Sequence, residues 1–95
     1  MSTLPTCTEE NTILEAALIE KAIAGDVVML VLCPMDPKVG CYVVAHLRDD
    51  PKKPVYLATR RVRTEPKLFI DQSRLTRNLL SKFKGIPITI RLPQA

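Results

Sequence analysis

The run VVMLVLC at residues 27–33 constrains the fold more than any other stretch. Unbroken apolar character with several β-branched residues fits a central strand covered on both faces, although periodicity alone does not separate it from a buried helix. It falls well short of the roughly 20 apolar residues that cross a bilayer. Asp26 opens the run, and PMDPKVG, punctuated by Pro34, Pro37 and Gly40, closes it with a loop. Residues 41–47 return as a hairpin partner. The charged, Pro-bounded RDDPKKP is a second turn, and residues 55–63 form a third strand. Residues 26–64 therefore predict a three-stranded meander.

A helix is expected on each side of this meander. The first spans about residues 9–24. Thr6 or Thr8 serves as its N-cap, Thr6 with Glu9 has capping-box spacing, and Gly25 ends it. Glu9 and Glu10 suit the positive end of the helix dipole. This helix is apolar nearly all round: Ile13, Leu14, Ala17, Leu18 and Ala22 on one broad face, with Ala16, Ile19 and Ile23 across from it. A surface helix carries one stripe, so this one is buried on two sides, beneath other elements or against a second protomer. Leu14, Leu18, Ile19 and Ile23 are the candidate homodimer contacts. Glu65-Pro66 breaks the third strand, and residues 67–70 (KLFI) are a short extended piece. Asp71 or Ser73 caps a second helix reaching Lys84, with Leu75, Leu79 and Phe83 at i, i+4 and i+8, Leu80 beside them, and Gly85 as its stop. The last segment alternates: Ile86, Ile88, Ile90 and Leu92 face one way, and Pro87, Thr89 and Arg91 the other. Pro87 cannot donate to a ladder, which places this strand at an edge or Pro87 at its entrance. The expected fold is α+β, ordered α-β-β-β-α-β, an antiparallel sheet with two helices packed mainly on one face.

Ninety-five residues suit a single domain, with residues 1–7 as a flexible tail. The 46% hydrophobic and 25% charged fractions are ordinary globular values, and with no Trp the core is mainly aliphatic. Three cysteines, Cys7, Cys33 and Cys41, make no disulfide framework and fit a reducing compartment. The opening MSTLPTCTEEN lacks a basic start and an apolar run. A cytoplasmic protein without membrane partner follows.

Charge is distributed unevenly. Residues 1–47 carry six carboxylates against Lys21 and Lys38, and residues 48–95 carry twelve cations against four carboxylates. Such asymmetry marks a nucleic-acid face or two complementary surfaces of an oligomer, unless the opposite charges simply meet in the fold. The cations concentrate in residues 54–85, where Arg60, Arg61, Arg63, Lys67, Arg74, Arg77 and Lys84 are the candidate contacts to DNA or RNA. Lys and Arg neutralise phosphates and release counterions, which gives affinity without sequence preference. On a strand, Arg61 and Arg63 would share one face and Arg60 the other. Interleaved aromatics are few, Tyr56 and Phe69, which disfavours a single-strand binder that stacks bases.

Other chemistry finds little footing. Cys33, Cys41 and His46 are close in sequence but lack zinc spacing, and strand parity sends Cys41 and His46 to opposite faces. The same parity removes a Cys–His catalytic pair. Gly25, Gly40 and Gly85 are isolated, so no phosphate-cradling loop exists. No catalytic residue, metal or cofactor is expected.

The stretch YLATRRVRTEPKLFIDQSRLTRNLLSKFKGIPITIRL combines a strand with a Thr-x-Arg-like end, a Pro-bounded turn, an aromatic, a short helix, a Gly and a final strand. In this it resembles small accessory proteins of bacterial plasmids and integrating conjugative elements, over about the last forty residues. The resemblance implies a role in maintenance or partition of such elements and carries no catalytic motif. The αβββα portion is similar in element order to double-stranded-RNA-binding domains, but the final strand and the missing loop residues of that family argue against membership.

Overall fold

A computed structural model describes residues 7–34, 40–61 and 64–91. Two helices and five strands follow in the order β1 (Thr12–Ile13), α1 (Glu15–Ile23), β2 (Val27–Pro34), β3 (Cys41–Leu47), β4 (Asp50–Leu57), α2 (Gln72–Lys82) and β5 (Ile88–Ile90). The strands form one sheet in the order β1-β4-β3-β2-β5.

The central meander β2-β3-β4 is antiparallel, as its short turns require. The sheet as a whole is mixed, which corrects the antiparallel expectation. β1 pairs with β4 in parallel, and β5 pairs with β2 in parallel. The reason is the connections. A helix laid across one face returns the chain in its original direction, so β1-α1-β2 and β4-α2-β5 are both parallel crossovers. Each steps three places across the sheet in the same direction, with its helix on the same face, so the two share one hand.

The first helix starts later than expected, and a two-residue strand occupies part of its span. Thr8 and Asn11 account for this. The Thr8 N–H donates to Asn11 Oδ1 (2.6 Å), and the Asn11 N–H donates to Thr8 Oγ1 (3.4 Å). This reciprocal pair has capping-box geometry, yet it closes a turn that feeds β1. Thr6 lies outside the described residues. Leu14 stands at the N-cap of α1 with no side-chain cap, and Gly25 follows the helix at φ +81°. Cys7 is buried, and its N–H donates to the Thr64 carbonyl, so the flexible-tail expectation does not hold for that residue.

The third strand runs Asp50–Leu57, earlier than expected, because the turn after β3 is confined to Arg48 and Asp49. Pro54 is tolerated for a geometric reason. The Tyr56 and Ala58 N–H groups point to β1, donating to the Asn11 and Ile13 carbonyls. Pro54, of the same parity, lacks its N–H on that side, before β1 begins. Residues 67–69 then continue the sheet. Lys67 N–H donates to Leu57 O, and Cys41 and Phe69 exchange both backbone hydrogen bonds at 2.8 Å. Gly40 makes the approach feasible: its φ is +99°, and a Cβ there would lie 2.5 Å from the Phe69 carbonyl oxygen.

The α2 helix forms as its pattern dictates. Asp71 accepts from the Arg74 N–H at 3.0 Å, satisfying one of the free amides of the first turn. Leu75, Leu79 and Phe83 are buried, each contributing about 1.5–3 kcal/mol of apolar burial. Leu80 is exposed, contrary to its expected place beside them. The main core lies between the helices and one sheet face, gathering Leu18, Leu30, Leu32, Cys41, Val43 and Leu57 with the α2 residues. On the opposite face Val31, Cys33 and Val44 are buried under Met29, Tyr42 and Tyr56, with no helix over them among the described residues. β5 is an edge strand with Pro87 at its entrance; Pro87 accepts from the Leu30 N–H.

Candidate nucleic-acid interface

Cations are available to a polyanion when they are exposed and not already neutralised within the fold. Arg60 and Arg61 lie in a bend beyond the end of β4 and are exposed. The strand has ended by then, so the parity argument that separated them does not apply. Arg63 lies outside the described residues. Arg74 and Arg77 are exposed on α2 one helical turn apart, and Lys84 is exposed just beyond the helix end. The buried row Leu75, Leu79 and Phe83 fixes this orientation, because residues that are neither three nor four positions from that row face outward.

Other cations are drawn into the structure. Lys82 Nζ meets Glu15 Oε1 at 2.7 Å, the one ion pair among the described residues. Lys82 sits in the last turn of α2 and Glu15 in the first turn of α1, so each complements its own helix dipole as well as the other. The Lys82 hydrogen bond leads the influences that hold the Glu15 carboxyl below its ordinary range, and the Lys67 charge adds to it. Lys67 is half-buried, with its ammonium 4.9 Å from the Phe69 ring centroid, a cation–π distance. Arg48 Nε donates to the Gly25 carbonyl at 2.9 Å and ties the β3–β4 turn to the end of α1.

The expected dimer contacts scatter. Leu18 is fully buried in its own core, Ile19 packs against that core, Leu14 is half-buried, and Ile23 is 82% exposed at the end of α1.

Strand register assembles a second group. Thr12, Tyr56, Val44, Val31 and Thr89 stand in one row across all five strands, on the face away from the helices. In the next row Tyr42 opposes Cys33, with Arg91 following Ile90, the partner of Leu32. The Tyr42 and Tyr56 rings lie 6.2 Å apart between centroids at 51°. Burial, followed by the neighbouring Cys33, pushes the Tyr42 hydroxyl up to about 12. Burial also raises the Cys33, Cys41 and Cys7 thiols. Neither Tyr42 nor Arg91 belongs to the residues singled out from the sequence. The period of two over residues 41–47 puts Tyr42 on the face opposite Cys41, but which face lacks a helix depends on the tertiary arrangement.

Cys41 points to the helix side and Cys33 to the other, and His46 opposes Met29 on the Cys33 side. Among the described residues no three His, Cys, Asp or Glu side chains gather as a metal site requires, and no helix is long and apolar enough to cross a membrane. Comparison with protein-family models, curated proteins and solved structures found no match.

Proposed function

We propose that this protein is a non-enzymatic accessory protein that binds nucleic acid, alone or within a nucleoprotein partner, through the basic surface that follows β4 and continues along α2. One observation carries the reading. Arg60, Arg61, Arg74, Arg77 and Lys84 are exposed, while the ion pair among the described residues takes Lys82 and Glu15. The resemblance of residues 56–92 to plasmid and conjugative-element accessory proteins supports a role in the maintenance of such an element.

Phosphate neutralisation makes the test quantitative. With five cations engaged on duplex DNA, log K falls against log salt with a slope of about −4.5, so affinity drops roughly 500-fold between 50 and 200 mM salt. Arg74→Ala with Arg77→Ala reduces the slope by about 2 and weakens binding to all sequences alike. Gel shifts and fluorescence anisotropy across a salt series read both quantities. No binding at low salt would sink the proposal.

A second reading has its own observation. Ile23 is 82% exposed at the end of α1, with exposed Ala16, Ala17 and the C-cap Ala24 on the same side around the exposed Glu20, a surface open to self-association. Light scattering across a concentration series decides it, and a monomer throughout removes it.

A further inference from the structure

Sheet faces without helices can present aromatic rings to single-stranded bases, two or three at a time. We infer that the helix-free face of this sheet is a platform for single-stranded nucleic acid, with bases stacked on Tyr56 and Tyr42 and phosphates held by Arg91 at one end and Arg60 and Arg61 at the other. This rests on the nucleic-acid reading above, adds the form of the ligand and a second surface, and replaces the expectation against base stacking, because the sheet brings Tyr42 beside Tyr56 from a strand outside the basic stretch.

Three observations select this occupant. First, the apolar centre of the face is already covered: Val31, Cys33 and Val44 are each about 4% exposed beneath Tyr42, Tyr56 and Met29. The large exposed hydrophobics lie elsewhere. Ile23, Ile70 and Leu80 belong to the helices or their approaches and Ile90 lies on the helix side of β5, which leaves Val28, 39% exposed at the bulge near the start of β2, as the one exception. A second protein copy would gain little apolar burial on this face, whereas a flat polar base gains a ring to stack on. Second, charge is complementary. Asp50, the one carboxylate in a described strand, opposes Leu47 on the helix side, and the register of Leu32 with Ile90 brings Arg91 beside Cys33. Third, the geometry is continuous and fixed. From β4 to β5 the face crosses three strand spacings, about 14 Å, and Arg60 and Arg61 follow the strand that carries Tyr56. The Tyr42 and Tyr56 rings, 6.2 Å apart between centroids, stand on adjacent strands whose register sets their spacing before any ligand arrives.

The chain has no Trp and only two tyrosines, so tyrosine emission reports this face and no other. The experiment titrates the full chain with fluorescein-labelled oligothymidylate, oligouridylate and a mixed-sequence duplex at low salt. It follows anisotropy and inner-filter-corrected tyrosine emission together. The expected result is quenching in step with anisotropy, tighter binding of a single strand than of duplex, a loss of about tenfold or more in Tyr56→Leu, and retention in Tyr56→Phe. The two sugars decide between DNA and RNA. Binding with unchanged tyrosine emission overturns the platform and leaves the basic-surface reading standing, as does duplex bound as tightly as single strand. Absence of binding to all three overturns both. Tyrosine emission that changes on dilution of the protein alone assigns the face to a second copy and overturns the platform. Should Tyr56→Leu fail to fold, judged by circular dichroism, the wild-type quench still decides.

Discussion

Alanine at Gly40 breaks the joint that carries the sheet past the end of β4. The backbone there sits at φ +99°, and the new Cβ would lie 2.5 Å from the Phe69 carbonyl oxygen and 2.9 Å from its carbon. Two costs combine. An L-residue with positive φ costs about 1–2 kcal/mol. Relieving the clash also separates Cys41 from Phe69, whose two backbone hydrogen bonds of 2.8 Å are each worth about 0.5–1.5 kcal/mol net. The expected loss is about 2–5 kcal/mol, a large part of the roughly 5–15 kcal/mol that holds a domain together. Gly25→Ala and Gly85→Ala are natural controls. Their φ values are +81° and +82° with no atom within 4 Å of the added Cβ, so they incur only the conformational cost of about 1–2 kcal/mol. Urea unfolding separates the cases, since with a slope of about 1–3 kcal/mol per molar the excess at Gly40 shifts the midpoint by around 1 M. Should Gly40→Ala prove no worse than Gly25→Ala, the pairing of Phe69 with β3 contributes nothing and the reasoning fails. The joint also positions α2, because Phe69 lies two residues before Asp71, where the helix and its arginines begin.

Two further outcomes concern pH. Glu15 has a lowered carboxyl pKa in the folded state, so its contribution is present above the ordinary carboxylate range and disappears as pH falls through the folded value. Both partners are about 44% exposed, which limits the contribution to roughly 1 kcal/mol or less. Glu15→Gln should therefore lower the urea midpoint slightly at pH 7, by an amount that shrinks as pH falls below the ordinary carboxylate range, and a difference that does not shrink would refute the pairing. Tyr42 behaves oppositely at high pH. With its folded value raised from 10.0 to about 12, the unfolded chain releases the proton first, so stability falls between those limits as pH rises. Tyr42→Phe removes that share of the alkaline loss. An unchanged dependence of the urea midpoint between pH 10 and 12 would refute the assignment.

Local chemistry was legible in the sequence where it also decided the outcome. Asp71 and the spacing of Leu75, Leu79 and Phe83 specify α2 without outside help. The meander followed from VVMLVLC and its turns. What escaped is tertiary. Thr8 and Asn11 carry the signature of a helix start but feed a strand of two residues, too short for any periodicity. Pro54 suggested a turn, yet its missing N–H falls on a side where no partner needs it. Parallel pairing of β5 with β2 depends on where α2 lies, and no residue of either strand declares it. The same holds for the candidate sites. The basic stretch is visible by composition, whereas the capture of Lys82 by Glu15 and the alignment of Tyr42 with Arg91 require the assembled sheet.

The two crossovers set an order of assembly. Strands β2, β3 and β4 meet neighbours joined by short connections, so their pairing closes small loops. The outer strands pair across long stretches of the chain, Thr12 with Tyr56 and Leu30 with Ile88, and closing those loops costs more entropy. The meander therefore forms before either edge, and each outer strand adds when its helix docks. Hydrogen exchange should record the reverse of this sequence, with β1 and β5 opening first while β3, enclosed on both sides, holds its amides longest. The central antiparallel strand thus serves as the seed on which both parallel additions grow.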